Sequence, residues 1–279
     1  MIRILFDVAS LTSVLVLLTL GLGLIAGMMG IFNLAHGEFV LLGALTAYYV
    51  TVFGWSPWTG VVLAPIVVGF LGAVVEFTVV RRLYARPLHA ILATWAIAIA
   101  IRGAVTRALR TTARSVPYPV SGTVELFGTQ VSLWRIVVLL VTPVLVLGLY
   151  LLLRRTDFGL RVRAAIEAPE LARLSRINTS RLYALTFTMG AALAGLGGAM
   201  VAPLSSVYPT LGVGYLVDSF LALMIGGLGS VEAAVIGAGT VGMTSGLVRY
   251  VVSPALSGAV VLALSVAVMR LRPQRSDLR

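Results

Sequence analysis

Long apolar blocks dominate this chain, at roughly 8–32, 34–53, 60–80, 90–109, 133–153, 182–202, 217–230, 233–252 and 254–270. A membrane-crossing helix needs ~20 apolar residues, so each long block is read as one span. The seventh block is short and glycine-rich; it either crosses fully or dips in and returns. The predicted fold is all-α, a polytopic transmembrane helical bundle of about 8–9 spans with short or broken helices. With no linker or low-complexity tract, residues 1–279 form a single membrane domain. MIRILFDVASLTSVLVLL lacks a basic stretch followed by a small-residue cleavage site, and is read as a retained helix.

The polar segments orient these spans. The longest, Arg154 to Arg181, holds seven arginines against Asp157, Glu167 and Glu170. Basic loops stay on the cytoplasmic side, which places 154–181, 81–89 and the tail RLRPQRSDLR inside. Alternation then gives nine crossings, with the N-terminus outside and the C-terminus cytoplasmic. Arg102, Arg107, Arg110 and Arg114 fall at the outer end of the fourth span, the last three at helical spacings that share a face. They either snorkel to headgroups or form a basic patch for an external acidic partner. SVPYPVSGTVELFGTQVS alternates apolar and polar residues between glycines and predicts a small hairpin or irregular cap. EFVLLGA from Glu38 faintly echoes EAAVIGA from Glu232, but both run the same way, so the pair is no evidence for an inverted repeat.

Composition changes the picture in two ways. With 59% hydrophobic residues, 11% charged and a mean hydropathy of +1.03, the chain is an integral membrane protein. Its twenty-one basic residues are all arginine, and it has no cysteine. The missing lysine excludes a P-loop ATPase and any Schiff-base chemistry; the missing cysteine excludes disulfides and thiolate metal sites. A pump built from this chain takes its energy from a partner or from an ion gradient.

Two stretches carry candidate chemistry. NLAHGEF, Asn33 to Phe39, is a polar island in apolar sequence. Unpaired polar groups are costly in lipid, so these must face protein, water or a helix break. Either Asn33, His36, Gly37 and Glu38 make a tight turn that caps helix ends, or they line a solute path as a hinge or gate. Gly23, Gly27 and Gly30 before it form a stripe that would let another helix approach closely. His-x-Glu lacks the spacing of a zinc protease, and the other histidine is the distant His89, so no metal site and no enzymatic base is predicted. In MIGGLGSVEAAVIGAG, Gly226, Gly227 and Gly229 suit an unwound segment beside a cavity, or a close helix crossing. Glu76 is placed to pair with Arg81 or Arg82. Within 154–181 a short helix, a turn with Pro169 in a first-turn position, and a cap at Asn178 or Thr179 precede the next span.

GMMGIFNLAHGEFVLLGA, LYARPLHAILAT, GLRVRAAIEAPELARLSRINTSRLYALTF and MIGGLGSVEAAVIGA follow one another as in LivH-type permeases. The chain resembles these membrane subunits of branched-chain amino acid importers of the ATP-binding-cassette (ABC) class, with urea and amide permeases as relatives. The resemblance covers nearly the whole chain and implies several partners. These are a second, LivM-like permease subunit, two ATP-binding-cassette ATPase subunits and an extracytoplasmic solute-binding protein. It implies a bacterial plasma (inner) membrane location and no nucleic acid. ATP would be bound by the partners, with no cofactor in this chain. Glu167, Ala168, Pro169, Glu170 and Arg173 fall in the segment that couples such permeases to an ATPase. Asn33, His36, Gly37, Glu38, Gly226, Gly227 and Gly229 match the two membrane motifs and would border the translocation path, and Arg107, Arg110 and Arg114 would suit docking of the binding protein. Arg176 stands where glycine is common in relatives, and Arg102 where glutamine is common. Branched-chain amino acid, urea or amide all stay open as solute, as does an ion-coupled secondary transporter with Glu38 or Asp218 as carrier.

Overall fold

The computed structural model describes residues 2–110, 112–126, 128–228, 230–251 and 254–271. The helices in them are α1 (Ile2–Met29), α2 (His36–Val52), α3 (Pro57–Thr78), α4 (Pro87–Leu109) and α5 (Leu133–Arg155). After these come α6 (Asp157–Glu167), α7 (Pro169–Leu174), α8 (Thr179–Val201), α9 (Leu211–Gly226), α10 (Val231–Val251) and α11 (Pro254–Leu271). α1, α3, α4, α5, α8 and α10 are long and apolar enough to cross a membrane, and α9 is a shorter apolar helix. The chain is an all-α polytopic membrane bundle. Local chemistry sets several of its boundaries. Pro57 and Pro87 open α3 and α4, where a missing N–H has no helical partner to lose. Thr156 caps α6 by accepting from Gly159 N–H at 3.3 Å, and Asn178 caps α8 by accepting from Arg181 N–H at 2.9 Å.

The core is an antiparallel pair, α1 against α8. A Cβ built on Gly21 would lie 2.7 Å from the Gly190 carbonyl oxygen, and one on Gly190 would lie 2.6 Å from that of Gly21. Only glycine allows two backbones this close. α3 packs along α8, with Gly72 facing Ala191, and α10 packs along α1, with Gly242 facing Thr12.

α2 does not begin where α1 ends. His36, its first residue, bonds through Nε2 to the Leu18 carbonyl at 3.0 Å. Leu18 lies about 16 Å back along α1 from Met29, at ~1.5 Å rise per residue. Residues 30–35 therefore climb back to half depth before α2 starts. α9 repeats the device from the opposite side, since its Gly212 meets Gly37 so closely that neither tolerates a Cβ. From there α2 runs alongside α8, with Phe39 against Phe187 and Gly43 against Gly195. α9 runs the other way, reaching Leu223 beside Gly23. Units α1–α3 and α8–α10 are thus related by inversion, an arrangement common in transporters. The echo between Glu38 and Glu232 is no part of it, because the equivalent of α2 is α9. The seventh block falls on α9, which carries the chain on from half depth after residues 202–210 have returned there.

The two ends differ. At one lies the expected hairpin, Thr123–Leu126 paired antiparallel with Thr129–Ser132; Arg114 bridges to Val207 beside it. At the other lie α6, α7 and a knot at the end of α3. There Glu76 accepts from the Tyr84 hydroxyl, and Arg81 Nε is 3.7 Å away. Burial first, then that hydrogen bond, pushes the Tyr84 hydroxyl above its ordinary range. Past α7, the Ile177 N–H bonds to the Ala172 carbonyl at 3.0 Å while Arg176 sits at φ +59°, a left-handed helix stop that favours glycine. Arg176→Gly is expected to stabilise this segment by about 1 kcal/mol. Slower limited proteolysis or hydrogen exchange across 168–178 would show it; faster exchange would refute it.

Candidate functional site

Most of the polar island is turned inward. Asn33, His36 and Glu38 are buried, Glu38 to 1% exposure. Asn33 Oδ1 accepts from Ala35 N–H at 3.0 Å and its carbonyl from His36 N–H at 3.2 Å, so the segment turns tightly into α2. His36 donates from Nε2 to α1, and its Nδ1 has no hydrogen-bond partner. Glu38 Oε1 accepts from Arg102 through Nε at 2.9 Å and through a second guanidinium nitrogen. Leu34 N–H donates to Thr94 at 3.2 Å. Both residues tie α4 to the start of α2. Arg102 thereby turns inward from the other three. Arg107 and Arg110 stay exposed at the hairpin end and Arg114 is half-buried there. α4 stops at Leu109 with Arg110 at φ +51°, so the three do not share the helical face their spacing suggested.

Open space lies elsewhere. A cavity of about 570 Å³ sits among α1, α5, α6, α9 and α10 at the end opposite the hairpin. Gly23 and Gly27 of the α1 stripe line it, Gly23 also lying against Leu223 of α9, whose Cδ2 is 3.0 Å from where a Cβ would sit, while the backbone approach to α8 is made at Gly21. Gly227 also lines the cavity, at φ +103°, ψ 162°, a conformation open to glycine alone. Gly226 packs against α10, where a Cβ would strike the Ala233 carbonyl. Gly229 lies outside the described residues. Arg154 and Glu232 stand at the cavity mouth, 3.2 Å apart.

Three of these helices, α1, α5 and α10, are tied at the hairpin end. Arg135 of α5 meets Asp7 of α1 at 3.0 Å and donates to Ser10 at 2.8 Å, and Tyr250 of α10 donates to Asp7 at 3.0 Å. The bundle is latched at one end and hollow at the other. Spacing alone gave no sign of this, because its partners lie up to 243 residues apart.

α6 forms one wall of the cavity through Gly159, Val162, Arg163 and Ile166. Glu167 ends it, Ala168 breaks the helix at φ −144°, and α7 follows with Pro169, Glu170 and Arg173. Leu171 and Leu174, three residues apart on α7, are 65% and 80% exposed. Both leucines are uncovered on a short polar helix, and their spacing was the signal available in the sequence.

Residues 4–269 match the family described as branched-chain amino acid transport system / permease component. The chain is 28% identical to the high-affinity branched-chain amino acid transport system permease protein LivH of Escherichia coli K12, over 96% of this chain and 92% of that one. It is 25% identical to the permease protein BraD of Pseudomonas aeruginosa, over 92% and 89%. Among solved structures it is similar in fold to PsaBC from Streptococcus pneumoniae, with a TM-score of 0.55, 13% identity and coverage of 99% and 94%.

Proposed function

Since this chain belongs to the permease-component family of branched-chain amino acid transport systems, we propose that it is the membrane subunit of an ATP-driven importer of such amino acids. Its arginine-rich end faces the cytoplasm and its hairpin faces outward, with the N-terminus outside and the C-terminus inside. Two ATPase subunits grip α7 and the α6–α7 joint around Glu167–Glu170. A LivM-like subunit completes the membrane core, and a solute-binding protein docks near Arg107, Arg110 and Arg114. Access alternates between the ends of α1, α5 and α10: the latch at Asp7, Arg135 and Tyr250 closes the outer end while the cavity is open inward. The path runs past Gly226 and Gly227, with the Asn33–Glu38 segment holding α2 and α4 in register beside it.

The observation that carries this reading is that α6 is at once a wall of the cavity and the neighbour of α7, whose Leu171 and Leu174 are exposed. A push on α7 reshapes the cavity without an intermediary. The test is ATP-dependent uptake of L-leucine by the reconstituted assembly. Glu167→Arg with Glu170→Arg is expected to lower uptake at least about tenfold, the equivalent of ~1.4 kcal/mol of lost docking. Unchanged uptake in that variant would remove the coupling role.

A further inference from the structure

The cavity joins two chemistries. Its depth is aliphatic, walled by Leu20, Leu24, Leu149, Leu153, Leu223 and Val231. Its charged lining is two guanidiniums, Arg154 and Arg163, and one carboxylate, Glu232, with Arg154 and Glu232 side by side at 3.2 Å. Both are more than half exposed, at 62% and 52%, and an ion pair this hydrated is worth little. Opening it is therefore cheap. Arg154 is steadied from behind: it donates to the Tyr150 hydroxyl and its guanidinium lies 5.3 Å from the centre of that ring. Arg163 is occupied with the Leu153 carbonyl.

We propose that this cavity binds a zwitterionic aliphatic amino acid, its carboxylate on Arg154, its ammonium on Glu232 and its side chain among the leucines. The ligand exchanges one weak ion pair for two and buries its hydrocarbon. Urea offers neither charge nor an apolar body. An anionic lipid headgroup would meet the carboxylate of Glu232. The inference rests on the transport reading above and deepens it, because it locates a solute site inside this one chain.

A chain with no native cysteine permits a direct test. Leu24→Cys places a thiol on the cavity wall, and Thr112→Cys at the hairpin end serves as control. The intact importer assembly is reconstituted in nanodiscs, and the rate of reaction with a small maleimide is measured. At L-leucine about ten times its dissociation constant, the cavity thiol is expected to react about tenfold more slowly. 4-Methylpentanoate, 3-methylbutylamine and urea should protect weakly or not at all, and the control thiol should not respond. Arg154→Gln or Glu232→Gln in the same background should abolish leucine protection.

Leucine import without protection of the cavity thiol overturns the site and leaves the transport reading standing. Protection in an assembly that imports nothing with ATP upholds the site and overturns that reading. Absence of both overturns both. Protection that follows the content of anionic lipid in the nanodisc, and not leucine, also overturns the site, as does equal protection by the ligands that lack one charge.

Discussion

Arg102→Leu is expected to destabilise the purified chain by about 3–5 kcal/mol, and Glu38→Gln by distinctly less. The asymmetry follows from burial. Glu38 is 1% exposed, whereas the Arg102 side chain is 33% exposed. Removing the arginine strands a carboxylate at half depth in an apolar bundle, with Oε2 already lacking a partner. Removing the carboxylate's charge leaves a guanidinium that still reaches outward and can still donate to the glutamine oxygen. The pair also anchors α4, whose buried face is narrow. Thermal aggregation midpoints in detergent, measured for both variants, check this. Equal midpoints, or a lower one for Glu38→Gln, would show that the pair does not hold the helix.

The second large effect is expected at the α2–α8 crossing. Gly43→Val should cost about 3 kcal/mol or more, because its Cβ would run into the backbone carbonyl of Gly195. Overpacking against a flexible side chain can relax; overpacking against a helix backbone moves the helix. Gly195 has no more room, with Val68 Cβ 2.6 Å from where its own Cβ would sit. Gly103 on α4 is the contrast, since nothing lies within 4 Å of its missing Cβ. Gly103→Ala should be neutral or stabilising, by up to ~1 kcal/mol of helix propensity. The comparison is one of folded yield and aggregation midpoint for the two variants. A stable Gly43→Val would mean that the two helices lie farther apart than described.

What could be read from the sequence is what depends on neighbours along the chain. Apolar length marked the six long spans, alternation between glycines marked the hairpin, and Asn178 and Thr156 cap helices within three residues of themselves. The tight turn of the polar island was legible, because Asn33 accepts from N–H groups two and three residues on. Its long-range half was not. Glu38 and Arg102 are 64 residues apart, and helical spacing drew attention to Arg107, Arg110 and Arg114 instead. The return of residues 30–35 to half depth left no mark, since a re-entrant link in an apolar setting has the composition of the span it interrupts. The inverted repeat was hidden for a related reason. What it preserves is close backbone approach, at Gly21 with Gly190 and Gly37 with Gly212, and small residues elsewhere in the bundle obscure that signal. The cavity arises where five helices fail to meet, which no single stretch encodes.

ATP-driven movement at α7 should reach the cavity through α6. Spin labels at Ile166→Cys on α6 and Ser230→Cys ahead of α10 flank that space. The separation between them, measured by double electron–electron resonance in the complete assembly, should shift when a non-hydrolysable ATP analogue closes the ATPases. It should return to its starting value on nucleotide removal. A separation that stays fixed while the ATPases demonstrably bind nucleotide would contradict the account.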